Sequence, residues 1–302
     1  MSGELPWCDQ YLVGNTAVLG PVPCLEHCEI FPKTGPETDE VIHSFYTGKQ
    51  MARSYAAYRP RYPADIFDTI MSYHEQIITS GHQLAVDVCC GTGQSTLPLT
   101  KLFHQVVGVD VSEDQIENMP KGIPNLTTYV GLAEDLNMIE SGTVDLVTIA
   151  TGLHWVNTKK FLLEAKRVLK PGGTFAAYTW LMDQLDDAEA NKYYRQAFAL
   201  FKDYYTSRPM LAMEKYQSIE FPFNNIRRFD IPMREEMSID QFVGCIQSIH
   251  ATNLYYQDHP GTTVLEEIRS KMTSLLSADG KRDTEVKVQM TKHFFLLLGR
   301  NK

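Results

Sequence analysis

The chain has 302 residues, 43% of them hydrophobic and 22% charged, and a formal net charge of −9 at pH 7. That length and apolar content suit one substantial domain with additions, and an acidic balance with no block of Lys and Arg argues against nucleic acid, whose binding needs clustered positive charge. No run approaches the ~20 apolar residues of a membrane span, and Met1-Ser2-Gly3-Glu4 lacks the layout of a signal peptide, so a cytoplasmic protein without a membrane partner is expected, monomeric by default.

Residues 1–42 carry Pro6, Pro21, Pro23, Pro32 and Pro36 without periodicity and read as an irregular N-terminal extension. Cys8, Cys24, His27 and Cys28 within it are four potential ligands, but their spacing is not that of a common zinc site, and no metal is expected. The six cysteines are too few and too uneven for a disulfide framework, so the adjacent Cys89 and Cys90 read as reduced thiols. A single domain is expected over 43–302. It opens with two lid helices within 43–80, Phe45 to Tyr58 and Ala64 to Gln76, separated by the elbow Arg59-Pro60-Arg61-Tyr62-Pro63. Short apolar runs at Ala85 to Val88, Gln105 to Val109, Leu126 to Val130, Val144 to Ala150 and Thr174 to Tyr178 alternate with helical segments at Ser112 to Asn118 and Lys160 to Leu169. That alternation predicts a doubly wound α/β fold, a parallel sheet with helices on both faces. A cap insertion follows at 183–224, where Tyr194, Phe198, Phe201 and Tyr205 recur at helical spacing, a stripe that reads as core packing. Two more strands, near Ile226 to Met233 and Glu285 to Gly299, flank helices at Ile239 to Ile249 and Thr263 to Leu276.

The chemistry concentrates at Val86-Asp87-Val88-Cys89-Cys90-Gly91-Thr92-Gly93-Gln94-Ser95-Thr96, a buried strand that breaks into a glycine bend and then a helix. Such junctions hold nucleotide-like ligands, because glycine admits a close approach of ligand to backbone. Ser112-Glu113-Asp114-Gln115 fits a capping box, which places Asp110 at the carboxyl end of the second strand, where an acid accepts the hydroxyls of a ribose. NAD satisfies this spacing too. Thr96, however, stands where a pyrophosphate loop wants its third glycine, and Asp87 would repel a pyrophosphate while favouring a ligand with an amine and a sulfonium. S-adenosylmethionine is the better fit.

With Asp110, Ala133-Glu134-Asp135-Leu136, Asp145-Leu146-Val147, His154-Trp155 and Arg167-Val168-Leu169-Lys170-Pro171-Gly172-Gly173, the set resembles the ordered motifs of class I S-adenosylmethionine-dependent methyltransferases. Tyr55, the proline elbow, His154-Trp155 and the ending Leu298-Gly299-Arg300 resemble the trans-aconitate methyltransferase group, which methylates carboxylates of small acids. The resemblance implies a mostly parallel seven-stranded sheet of order 3-2-1-4-5-7-6 with the last strand antiparallel. It implies a cofactor site of Tyr55, Asp87, Cys89, Gly91, Gly93, Gln94, Asp110, Val111, Ala133, Glu134 and Thr151, S-adenosylhomocysteine as product, and a small-molecule acceptor. Two positions depart from the family: Cys89 replaces the glycine that usually opens the loop, and Leu132 replaces the acid that commonly binds the adenine amine. His154 and Trp155 are the candidate catalytic residues, and Arg59, Tyr62 and Trp180 the candidate acceptor residues, with Arg61 and Arg208 as further partners for a carboxylate. A carboxylate acceptor needs no base, so His154 would orient it; an amine or phenol acceptor would make His154 a base. A chain that binds the cofactor without catalysis is the reading from another class.

Overall fold

Because side chains of a strand alternate between its two faces, the apolar runs bury both sides at once. In the computed structural model, which describes residues 48–59, 61–78, 82–277 and 286–302, Val86, Val88, Val147, Ile149, Phe175 and Ala177 form one core and Ala85, Leu146, Ala176 and Tyr178 another. The strands are β1 (Leu84–Val88), β2 (Gln105–Asp110), β3 (Leu126–Val130), β4 (Val144–Ala150) and β5 (Leu169–Trp180), paired in parallel in the order β3-β2-β1-β4-β5. All seven residues of β4 are buried, as a central strand covered on both faces must be. Helices α1 (Lys49–Tyr58) and α2 (Ala64–His74) precede the sheet, and α2 packs Ile66, Phe67, Ile70 and Met71 onto one face. Three helices lie between the parallel strands: α3 (Thr96–Leu99), α4 (Glu113–Glu117) and α5 (Thr158–Val168). The last, capped by the Asn157 side chain on the Lys160 N–H, covers the opposite face with Phe161, Leu162, Ala165 and Val168.

The short β6 (Gln184–Leu185) precedes α6 (Ala188–Ala199) and α7 (Pro209–Met213). Then come β7 (Asn224–Ser238), α8 (Ile239–Gln247), α9 (His250–Asp258), α10 (Val264–Leu276) and β8 (Lys287–Arg300). β8 runs antiparallel beside β5, and β7 pairs antiparallel along its other edge, so the sheet has eight strands because β6 also pairs with β8. With β6 set aside, the expected order 3-2-1-4-5-7-6 is the one observed. β7 is longer than the predicted 226–233 because β8 templates it along its whole length, although much of β7 is exposed. The first half of β8 leaves the sheet core: Val288 and Met290 join Tyr194, Phe201, Tyr205, Phe242, Ile246 and Met272 in a third cluster built by α6, α8 and α10. The aromatic stripe of 194–205 thus packs as core, and three of its members, Tyr194, Phe198 and Tyr205, also face a cavity described below.

The Lys170-Pro171-Gly172-Gly173 segment, expected as a turn into the fifth strand, is a bulge within β5. Val144 pairs with Leu169 and Leu146 with Thr174, and Gly172 takes φ 78°. Arg300 locks this bulge to α2, donating to the carbonyls of Gly172, Tyr73 and His74 and to the Thr174 hydroxyl. The candidate zinc ligands Cys8, Cys24, His27 and Cys28, and the side chain of Tyr55, lie outside the described residues. No described helix is long and apolar enough to cross a membrane. Replacing Arg300 by Met leaves four acceptors without their donor, and we expect a loss of roughly 2–4 kcal/mol, read as a lower urea midpoint at unchanged slope.

Candidate active site

In an open parallel sheet, ligands bind beyond the carboxyl ends of the strands, where neighbouring crossovers diverge. Here the ends of β1, β2, β3 and β4 open into a cleft of about 800 Å³, counting the space at its mouth. At the end of β2, Asp110 accepts the Gly91 N–H on Oδ2 at 2.8 Å and the Ser112 N–H on Oδ1 at 2.9 Å. The Ser112 hydroxyl accepts the Gln115 N–H, so Ser112 caps α4 while its own amide fixes Asp110. Each carboxylate oxygen keeps a lone pair for the cleft, the geometry a pair of vicinal hydroxyls needs. Burial pushes the Asp110 carboxyl above its ordinary range, opposed by the two amides. Val111 and Leu132, 38% and 40% exposed, supply apolar walls, with Ala133 and Glu134 beside them. One Glu134 oxygen accepts the Asn157 N–H, which ties the β3 loop to the start of α5.

Asp87 occupies a different place from the one expected. It is fully buried below the loop and accepts hydroxyls from Ser95 (3.0 Å), Thr96 (2.6 Å) and Thr148 (2.6 Å). It does not line the cleft, and neither do Gly93 and Gln94, whose amide bonds to Thr92. Thr96, read from the sequence as an obstacle to close packing, is a donor that this carboxylate requires. Cys89 sits at φ 55°, the left-handed region that favours glycine, although it carries a Cβ. Its Cβ fills the space over Gly152, where an added Cβ would come within 2.6 Å of it. Cys89, Cys90 and Cys245 are free thiols.

Thr151, at the end of β4, also has a left-handed φ of 54°. Its N–H donates to the Tyr178 carbonyl at 2.7 Å and its hydroxyl is hydrogen-bonded to Tyr62 at 2.8 Å. Tyr62 therefore positions Thr151 and lines neither cavity itself. Thr151, Trp155 and Arg59 form the boundary between the cleft and a second cavity of about 1140 Å³, again counting open space. The Arg59 guanidinium lies 5.0 Å from the Trp180 ring centroid and 3.4 Å from the Ser248 carbonyl. Arg61 is exposed and Arg208 donates to the Val156 carbonyl, and neither lines the cleft or the second cavity. The second cavity is walled mainly by aromatic and aliphatic side chains and methionines, with His154, His250, Asp183 and Lys292 as polar members. His154 is buried, bonded to the Tyr216 hydroxyl at 3.0 Å, and 5.0 Å from Trp155, whose other side meets His250 edge-on. The sequence reading did not single out His250, Tyr216, Asp183 or Lys292. For Lys292 a signal existed, since it interrupts the inward apolar series Val288, Met290, Phe294.

The profile of a family described as a methyltransferase domain matches residues 86–177, from β1 to β5. A Dictyostelium discoideum protein named as a methyltransferase is 30% identical over 203 residues, 66% of this chain and 74% of its own length. The chain belongs to the class I S-adenosylmethionine-dependent methyltransferases. It is also 30% identical over 154 residues to the Saccharomyces cerevisiae protein CRG1, named as an S-adenosylmethionine-dependent methyltransferase, which covers 48% of this chain and about half, 51%, of that relative. A structure described as a type II methyltransferase from Anaeromyxobacter dehalogenans superimposes with a TM-score of 0.67 at 27% identity, over 81% of this chain and 98% of the other. S-adenosylmethionine is the cofactor, and the cleft fits it. Asp110 offers two acceptor oxygens of the kind a ribose diol uses, Val111 and Leu132 offer exposed apolar surface of the kind an adenine packs on, and Gly91 and Cys89 line the same cleft.

Burial lowers the pKa of His154 to about 3, helped by the positive charges of His250, Arg208 and Arg59; it lowers His250 to about 3 and His74 to about 4. The unfolded chain, with histidines near 6.5, binds more protons than the native state below that value. Full stability is therefore present above about pH 6.5 and is lost as pH falls towards 4 and 3, at up to about 1.4 kcal/mol per pH unit per histidine. Asp87, raised to about 6 by burial, works in the opposite sense as a single group. Urea unfolding should show a midpoint that drops between about pH 7 and pH 5, with a smaller drop in His250→Gln. In the cleft, Gly152→Ala forces Cys89 aside and should weaken cofactor affinity roughly tenfold by calorimetry, while adding Cys89→Gly should restore most of it.

Proposed function

We propose that the chain transfers the methyl group of S-adenosylmethionine to a carboxylate oxygen of a small acid, giving a methyl ester. The observation that carries this reading is the position of Arg59, which borders both the cofactor cleft and the second cavity and lies against Trp180. A guanidinium there binds a carboxylate through two oxygens and orients it beside the methyl donor. When bound, S-adenosylmethionine supplies an electrophilic methyl on a sulfonium, whose C–S bond breaks as the new C–O bond forms. A carboxylate is already ionised at neutral pH, so no side chain must remove a proton. His154 agrees with this economy. With its pKa lowered to about 3 it is too weak a base to deprotonate an amine or phenol efficiently near pH 7, and it is suited to shaping the cavity with Trp155.

The aromatic and aliphatic walls exclude water from the reacting atoms, and the rate then comes chiefly from alignment of nucleophile, methyl and sulfur. Residues 43–80 would act as a lid, since α1 ends at Tyr58, next to Arg59, and 183–224 as a cap over the second cavity. The resemblance of the proline elbow and His154-Trp155 to the trans-aconitate methyltransferase group supports the same acceptor class. The test is a labelled methyl donor with a metabolite extract, followed by mild base. Label released as methanol is the expected result, and label that survives base would overturn the ester. Arg59→Met should raise KM for the acid at least about tenfold. His154→Ala should lower kcat less than about tenfold, far short of the loss expected for a general base.

A further inference from the structure

β8 carries its inward residues at every second position: Val288, Met290, Lys292 and Phe294 are all buried. Three of the four are apolar, as a core-facing strand requires. Lys292 is 1% exposed at a place where an aliphatic side chain would pack without desolvating a charge. Its ammonium reaches Asp183 Oδ2 at 2.8 Å and lies 3.6 Å from Glu235 Oε2, so two carboxylates surround one cation. The second oxygen of Asp183, Oδ1, is buried and has no hydrogen-bond partner among the described residues. Asp183 and Lys292 both line the second cavity, and so does Arg59, which also borders the cofactor cleft.

From this arrangement we infer that Asp183 is a specificity-determining residue: its Oδ1, aimed by Lys292, receives a hydrogen-bond donor on the part of the acceptor remote from the methylated group. The inference rests on the proposed carboxylate acceptor for the other end. A buried carboxylate oxygen loses hydration that only a donor replaces, and the excess of negative over positive charge in the Asp183–Lys292–Glu235 group rejects a second anion there. An aliphatic or aromatic end leaves the oxygen unpaired. Acceptors would therefore be acids with an apolar body and a hydroxyl or ammonium at the far end, the two sources of one donor chemistry. Lys292 acts through Asp183 and is a positioning residue.

The experiment is calorimetry on the full chain saturated with S-adenosylhomocysteine, so that binding is read without methyl transfer. The probes are ω-hydroxyhexanoate and ω-aminohexanoate against hexanoate, with the corresponding butyrates beside them, and the primary amide of ω-hydroxyhexanoate. The hydroxy or the amino acid should bind at least about tenfold tighter than its unsubstituted parent, the size of a hydrogen bond to a charged group, and whichever gains more identifies the donor. Asp183→Asn keeps the shape but, once its oxygen faces Lys292, offers an amide N–H₂ that an ammonium cannot accept from, and should bring the ratio for ω-aminohexanoate to within about twofold, whereas a hydroxyl can turn round and accept. Equal binding of substituted and parent acids at both chain lengths overturns the inference in the wild-type protein alone, whether or not the variant folds. Persistence of the ω-aminohexanoate preference in a folded Asp183→Asn, checked by its thermal unfolding and by its affinity for S-adenosylhomocysteine, overturns it as well. Acid and amide report on the other end: equal affinity for those two, with the far-end preference intact, removes the carboxylate reading and leaves Asp183 in its role.

Discussion

One buried carboxylate organises the centre of the molecule. Asp87 leaves water completely, and what makes that tolerable is a set of three hydroxyl donors, Ser95 and Thr96 from the far side of the glycine bend and Thr148 from β4. Ser95 is in turn hydrogen-bonded to the Tyr178 hydroxyl, which carries the network to β5. A single side chain thus joins three adjacent strands and draws the bend down onto the sheet. The cleft inherits its floor from this knot, because the same bend presents the Gly91 amide that Asp110 accepts. One acid fixes the loop from beneath and a second fixes it from the side. The proximity of two carboxyls in a dry region contributes to the elevated pKa of the first.

The second cavity has no comparable single anchor. Its polar groups arrive from places far apart in the chain: Arg59 before the sheet, Thr151 and Trp155 after β4, Trp180 and Asp183 at and beyond the end of β5, Lys292 in β8. They are held by neighbours that do not reach the cavity, as Tyr62 holds Thr151 and Tyr216 holds His154. The apolar surface between these polar points comes from the third hydrophobic cluster, whose members Tyr194, Tyr205 and Phe242 serve packing and lining at once. Packing and ligand contact are therefore not alternatives for such a side chain: a ring buried on one edge can face a cavity with the other.

The parallel half of the fold was legible because its strands are short apolar runs with helical segments between them, and the position of Asp110 followed from a capping serine two residues later. The orientation of Asp87 was not legible. A carboxylate in a strand before a glycine bend looks the same whether it faces a ligand or a set of hydroxyls, and its donors lie 8, 9 and 61 residues away. Thr96 was misread for the same reason, since its volume was visible but its partner was not. Arg61 and Arg208 show the limit of charge as a guide, because nothing local distinguishes an arginine at a cavity from one in solvent or on a carbonyl. Lys292 could have been found: a lysine in phase with valine, methionine and phenylalanine contradicts the pattern of its own strand.

The placement of β8 between β5 and β7 bears on the order in which the molecule assembles. Its pairing with β5 joins Thr174 to Arg300, positions 126 apart, so it closes one of the largest loops in the fold and pays an entropic cost that local contacts do not. Until it docks, β5 exposes an open edge, which is a surface for mispairing. The strand ends around the cofactor cleft all belong to β1–β4, whereas the second cavity takes Met290 and Lys292 from β8 itself. The strand pairings that frame the cofactor cleft thus span shorter stretches of chain than the pairing that brings Met290 and Lys292 to the second cavity.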